Sequence, residues 1–71
     1  MVRAIVLVTS PKKLIAARLR KVKSVYESFP VSGQFDAVAK IQVEQLSEIK
    51  EITTEIQKIN GVERTETMIE V

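Results

Sequence analysis

The stretch that decides the fold is residues 2–9, Val-Arg-Ala-Ile-Val-Leu-Val-Thr, near the start of the chain. Its β-branched and apolar residues predict a strand. Because side chains alternate along a strand, Ile5 and Leu7 lie on one face and Ala4, Val6 and Val8 on the other. Both faces are apolar, so the strand is expected at the centre of a sheet that is covered on both sides.

The segment that follows this strand predicts a helix at residues 11–22. Ser10 is a favourable N-cap residue, and Pro11 suits the first helical position. Apolar residues then recur with helical spacing at Leu14, Ile15, Leu19 and Val22.

Three further strands and a second helix complete the pattern. We expect strands at residues 23–30, 34–43 and 62–71, and a helix at about residues 45–59. Asn60-Gly61 ends the second helix, with glycine suited to a left-handed cap. The order β-α-β-β-α-β predicts a ferredoxin-like α+β fold: a four-stranded antiparallel sheet with two helices on one face.

The size of the chain predicts self-association. With 71 residues and 8.0 kDa, residues 1–71 form a single small domain whose core only just offsets chain entropy. The absence of Cys and His excludes disulfides and zinc sites built on thiolate or imidazole. Two helices cover one face of the sheet, so we expect Ala4, Val6 and Val8 to contact a second copy. No segment suits a signal peptide or membrane span, so a cytoplasmic location is expected.

The charge of the chain is unevenly distributed. Eleven Lys and Arg against nine Asp and Glu give a net charge of +2. Residues 1–25 carry seven basic side chains and no acid, whereas residues 26–71 carry four basic and nine acidic ones. We favour mutual neutralisation between a basic first helix and an acidic second helix, together with charge on the solvated surface. The alternative is a nucleic-acid-binding module using the basic residues Lys12, Lys13, Arg18, Arg20 and Lys21.

The composition disfavours several other functions of this fold. Without His or Cys, no histidine-based triad and no thiol nucleophile can form, and two glycines leave no phosphate-binding loop. The strands at residues 2–9 and 34–43 carry only Phe35 as an aromatic, so the base-stacking platform of RNA-recognition modules is missing. We expect neither enzymatic activity nor a cofactor or metal.

Two short segments carry groups suited to a small ligand. The turn around Gly33 offers backbone N–H groups to a carboxylate, and Asp36 offers a negative charge to an ammonium group. Thr65 and Thr67 place two hydroxyls on one face of the last strand. Together these groups suit a free amino acid. Each also has a simpler interpretation, with Gly33 as a turn residue, Asp36 as a turn cap and the threonines as strand formers.

Two motifs resemble the ligand-binding domain of Lrp/AsnC transcription regulators. Residues 31–43, VSGQFDAVAKIQV, contain the turn motif of that domain. In this motif Ser or Thr is followed by Gly, then by any residue, then by Tyr or Phe, and last by Asp. Residues 59–71, INGVERTETMIEV, match a Gly-Val-x-x-Thr-x-Thr ending. Full-length members carry an N-terminal helix-turn-helix domain, and this chain, which begins at the first strand, resembles the stand-alone form without DNA-binding capacity.

The resemblance implies dimers formed by pairing sheet faces, rings of dimers that are commonly octameric or decameric, and amino-acid effectors bound between dimers. It assigns ligand binding to Gly33, Gln34, Phe35, Asp36, Thr65 and Thr67. Gln34 fills the variable position, and Phe35 replaces the commoner Tyr. We therefore expect a homo-oligomeric, amino-acid-binding regulatory domain that can co-assemble with full-length Lrp/AsnC regulators. A purely structural assembly subunit is the other alternative.

Overall fold

The chain forms one antiparallel sheet with two helices, as the sequence predicts. The computed structural model describes all residues, Met1–Val71. The sheet has the strand order β2-β3-β1-β4, which confirms the ferredoxin-like α+β prediction. The elements in chain order are β1 Val2–Thr9, α1 Ile15–Leu19, β2 Val25–Pro30, β3 Ala37–Val43, α2 Leu46–Gln57 and β4 Arg64–Ile69. Neither helix has the length and apolar character needed to cross a lipid bilayer.

The first strand lies at the centre of the sheet and fixes which residues share a face. Val6 lies opposite Ala39 on β3 and Thr67 on β4, and Leu7 lies opposite Val38 and Glu66. Because residues directly opposite one another in a ladder point to the same side, this register sorts all four strands into two faces.

The helices cover the face of β1 that carries Ala4, Val6 and Val8. These three side chains are at most 4% exposed and pack in one core. The helical residues of that core are Ile15, Ala16, Leu19, Ile49, Ile52 and Ile56. The expectation that Ala4, Val6 and Val8 contact a second copy is therefore wrong. Alternation shows which residues share a face, but two apolar faces of one strand give no sign of which one the helices cover.

The opposite side of the sheet, here called the open face, carries the other set of apolar residues. Its apolar members are Ile5, Leu7, Tyr26, Phe29, Val38 and Met68. Two ion pairs also lie on this face, Arg3–Glu70 at 2.9 Å and Glu27–Lys40 at 3.2 Å. No helix covers this face, so its exposed apolar side chains, Tyr26, Phe29 and Met68, are available to a partner.

The first helix is shorter than the sequence predicts. It begins only at Ile15, and Leu14 is 75% exposed. The Ser10 hydroxyl accepts a hydrogen bond from the N–H of Lys12 at 3.1 Å, but the N–H of Ser10 is held by Asp36 across the sheet. Ser10 therefore closes a turn at the end of β1 and does not cap a helix, which starts one turn later.

Candidate functional site

The turn before β3 is closed by two backbone hydrogen bonds. The N–H of Val31 donates to the carbonyl of Asp36 at 3.0 Å, and the N–H of Asp36 donates to the carbonyl of Val8 at 2.8 Å. The first bond closes the loop between Val31 and Asp36, and the second fixes that loop to the end of β1. Residues 32–35 therefore project from an anchored base.

The side chain of Asp36 also serves as an anchor. Its Oδ2 accepts a hydrogen bond from the backbone N–H of Ser10 at 2.8 Å. The residue is exposed, and no other hydrogen bond from the protein reaches the carboxylate. Asp36 therefore caps the turn, which was its simpler interpretation. Its second carboxylate oxygen remains free to bind a cationic group.

The projecting part of the turn has unused hydrogen-bond donors. The backbone N–H groups of Ser32, Gly33, Gln34 and Phe35 donate no hydrogen bond within the chain. Gly33 has φ of +124°, a conformation that other residues rarely adopt, and no atom approaches the space that a Cβ would fill. Successive free N–H groups in a turn can bind an anion when they converge on one point.

The two threonines lie on the opposite side of the sheet from the open face. Thr65 is opposite Val8 and Thr67 is opposite Val6, so both hydroxyls share the face that the helices cover. Gln57, on α2, donates from Nε2 to Oγ1 of Thr65 at 3.0 Å. The sequence did not indicate Gln57, which lies on the exposed flank of α2 and has no motif of its own.

Within one copy the turn and the threonines are close to the same end of the sheet but do not form one cluster. The turn leads into β3 and Thr65 lies on β4, and β1 separates these strands. Two strand spacings amount to about 10 Å. The predicted site residues therefore fall into two groups, the residues of the turn and the pair of threonines.

Arg64 joins the first group, although it is not among the site residues predicted from the sequence. Its guanidinium carbon lies 6.0 Å from the centroid of the Phe35 ring. Arg64 precedes Thr65, so alternation turns it to the opposite face, and it lies opposite Thr9. The only signal in the sequence was its position inside the second motif.

The open face contains a shallow groove of about 280 Å³ between charged and apolar side chains. Tyr26 lines it beside Lys40, whose ammonium nitrogen lies 5.8 Å from the ring centroid. The sequence did not indicate this groove either, since a β-bulge at Val25/Glu27 places Tyr26.

The fold and these sites define a small α+β ligand-binding domain. The model of the Lrp/AsnC ligand-binding domain matches residues 3–71, so the chain belongs to this family, as its two motifs predicted. The family consists of regulatory effector-binding domains. A search of curated proteins finds no match.

Several solved structures are similar to the chain. TTHA0845 from Thermus thermophilus is 28% identical with a TM-score of 0.90, covering 100% of this chain and 94% of the other. The protein PHS023 from Pyrococcus horikoshii is 27% identical with a TM-score of 0.83, covering 100% of this chain and 90% of the other. The feast or famine regulatory protein Rv3291c from M. tuberculosis, complexed with L-methionine, is 21% identical with a TM-score of 0.84. The match covers 100% of this chain and 50% of that one, and it shows similarity of fold.

Proposed function

We propose that the protein is a homo-oligomeric regulatory domain that binds a free amino acid, or a similar small effector, between copies of the chain. The turn at Gly33 to Phe35 binds the carboxylate, and Asp36 binds the ammonium group. Thr65 and Thr67 complete the polar shell from a neighbouring copy. The main support for the proposal is a row of four successive backbone N–H groups that donate no hydrogen bond within the chain. They lie beside an exposed carboxylate.

The opposite charges of a free amino acid match this pair of groups. Backbone N–H groups bind a carboxylate with charge-assisted hydrogen bonds, and a carboxylate binds an ammonium group in the same way. The turn places both kinds of group within five consecutive residues, 32–36. The methionine bound by Rv3291c supports an amino acid as the ligand.

The separation of the turn from the threonines supports a site between copies. The two groups lie on different strands, and β1 lies between them. A single amino acid has its ammonium and carboxylate groups on one carbon, so it fits one group of residues more readily than both. A second copy that brings its threonines to the turn of the first makes a complete shell.

The open face supports self-association. Its exposed side chains include Tyr26 at 52%, Phe29 at 38% and Met68 at 46%. A chain of this size gains much of its stability by covering such a surface, and a second open face is apolar in the same way. We propose dimers through the open face, with Ile5 and Leu7 at the centre, assembled further into an octamer or decamer.

Regulation then follows from linkage. An effector that binds between copies stabilises the assembly state that contains the complete site. Co-assembly with full-length Lrp/AsnC regulators would transmit this change to DNA that the partner binds. A cytoplasmic location is part of this proposal.

Calorimetry against the twenty L-amino acids tests the ligand. We expect at least one saturable isotherm, which Asp36→Asn weakens at least tenfold, because removal of the charge leaves the ammonium group without its partner (about 1.5–3 kcal/mol). Glu51→Gln, on the exposed surface of α2, is the matched control, because it also removes one negative charge. Twenty flat titrations would favour the structural assembly subunit.

A mixing experiment tests the location of the site. Asp36→Asn damages the turn and Thr67→Val damages the threonine pair, so each variant alone should bind weakly. After co-refolding at equal amounts, about one site in four combines an intact turn with an intact threonine pair from different copies. Recovery of ligand binding at that fraction of the sites supports a site shared between copies. If no binding is recovered, all the groups of one site belong to the same copy.

The basic first segment favours a second candidate function. Lys12, Lys13, Arg18, Arg20 and Lys21 are all exposed, and no ion pair joins them to the glutamates of α2. The basic residues of the first helix are therefore not neutralised by direct contacts with α2. A gel shift with duplex DNA at two salt concentrations tests nucleic-acid binding. Micromolar or tighter affinity at physiological salt, with a steep salt dependence, would favour this candidate.

A further inference from the structure

The guanidinium of Arg64 lies beside the Phe35 ring without a polar partner. Its carbon is 6.0 Å from the ring centroid, and the residue is exposed. The guanidinium makes no ion pair, and only the Arg64 carbonyl takes part in a side-chain hydrogen bond, accepting from Oγ1 of Thr9 at 3.4 Å. Five guanidinium N–H donors are therefore available.

The aromatic ring beside this guanidinium belongs to the turn that carries the free N–H groups. Phe35 is the last of the four residues whose backbone N–H donates no hydrogen bond within the chain. The ring that Arg64 lies over therefore belongs to the same turn. The turn before β3 and the start of β4 thus both contribute donors, and the Phe35 ring is where these two segments meet. The Asp36 carboxylate accepts from the N–H of Ser10 and makes no ion pair with Arg64.

We propose that Arg64 is a carboxylate-binding residue and that, with the turn N–H groups, it restricts the effectors to molecules with a free carboxylate. This inference rests on the proposed function and names the chemical class of ligand for that site. The Phe35 ring acts as a positioning surface, because stacking on an aromatic face orients the planar guanidinium.

The planar shape of the guanidinium makes this role specific to arginine. Two parallel N–H groups match the two oxygens of a carboxylate, which a lysine ammonium cannot do. An amide or ester of the same amino acid loses the negative charge and therefore most of this interaction. The acidic neighbours Glu63 and Glu66 make no ion pair with Arg64, so they do not occupy its donors.

Acetate is a probe for this site that does not depend on the identity of the effector. Sodium acetate is titrated at constant ionic strength against sodium chloride, and backbone amide shifts are followed by NMR. We expect saturable shifts at residues 32–35 in the wild type. Arg64→Gln should weaken acetate binding at least tenfold, since it removes a charge-assisted contact. Arg64→Lys should recover only part of that affinity, and the control Lys23→Gln, on the exposed surface, should bind acetate like the wild type.

Phe35→Leu separates positioning from binding. It keeps an apolar side chain in the turn but removes the aromatic face, so acetate affinity should fall about threefold with the spectrum still folded. Unchanged acetate affinity in Arg64→Gln would overturn the inference.

A second arm distinguishes this inference from the proposed function. L-Methionine and L-methioninamide are titrated alongside the twenty-amino-acid panel, and each amino acid that binds should lose at least tenfold affinity in Arg64→Gln. If amino acids bind equally well to Arg64→Gln, the role of Arg64 is wrong and the proposed function stands. If no amino acid binds but acetate still binds through Arg64, the proposed function fails and the carboxylate site remains.

Discussion

One oxygen of the Asp36 carboxylate accepts a hydrogen bond from the backbone N–H of Ser10 at 2.8 Å. Ser10 is buried at the end of β1, so this bond fixes the turn before β3 to the central strand. The N–H of Asp36 donates to the carbonyl of Val8 in the same place. Asp36 therefore holds the turn that presents the free N–H groups, whatever it binds in addition.

Replacement of Asp36 by alanine should destabilise the fold. Asp36→Ala leaves the N–H of Ser10 without an acceptor in a partly buried position, which costs about 1–2 kcal/mol in the free energy of unfolding. Asp36→Asn keeps an oxygen acceptor and should lose less than half of that. Urea unfolding at fixed protein concentration measures both variants. Equal stability of the alanine variant and the wild type would show that the bond is unimportant to the turn.

Neighbouring residues on β1 should respond differently to the same substitution. Val6 is fully buried beneath the helices, so Val6→Glu places an unpaired charge in the core and should unfold the chain. Leu7 points to the open face, so Leu7→Glu should leave the fold intact and abolish dimers. Circular dichroism and sedimentation equilibrium distinguish the two effects. A Leu7→Glu protein that stays associated would exclude the open face as the dimer interface.

The sequence predicted the order of elements because each element has a strong local pattern. Residues 2–9 match β1 in full, and Ile49, Ile52 and Ile56, which recur with helical spacing, form the buried face of α2. The first helix was overpredicted because the turn that ends β1 depends on Asp36, 26 residues further along the chain. A local pattern contains no information about such a partner.

The candidate site was predicted only in part, because some of its residues depend on contacts with distant parts of the chain. Motif spacing selected Gly33, Asp36 and the two threonines, and alternation placed both hydroxyls on one face, as the register confirms. Arg64 and Gln57 were missed because their importance depends on contacts across strands and helices. The prediction of which face of β1 meets a partner was wrong, since only packing decides which apolar side the helices cover.

The hydroxyl of Thr65 should contribute more to ligand binding than to stability. Thr65→Val removes the acceptor for Gln57, but this bond is exposed and its loss should cost less than about 1 kcal/mol in the free energy of unfolding. Thr65→Ser keeps the hydroxyl and is the matched control. Calorimetry with the tightest-binding amino acid should show weaker binding for the valine variant alone. A large loss of stability would instead make the Gln57–Thr65 bond structural.

Glycine should be required at position 61 mainly because of its backbone conformation, and less because an added Cβ would be crowded. Its φ is +104°, and an added Cβ would lie 2.8 Å from Cγ and Cδ of Lys12. Gly33 also has a positive φ but has no atom within 4 Å of the same point, so Gly33→Ala measures strain without contact. We expect each alanine variant to lose about 1–2 kcal/mol in the free energy of unfolding. The Lys12 side chain is exposed and flexible, so Lys12→Ala should restore little stability to Gly61→Ala in urea unfolding. Full recovery in the double variant would show that contact with the lysine stem, and not the backbone, requires glycine at this position.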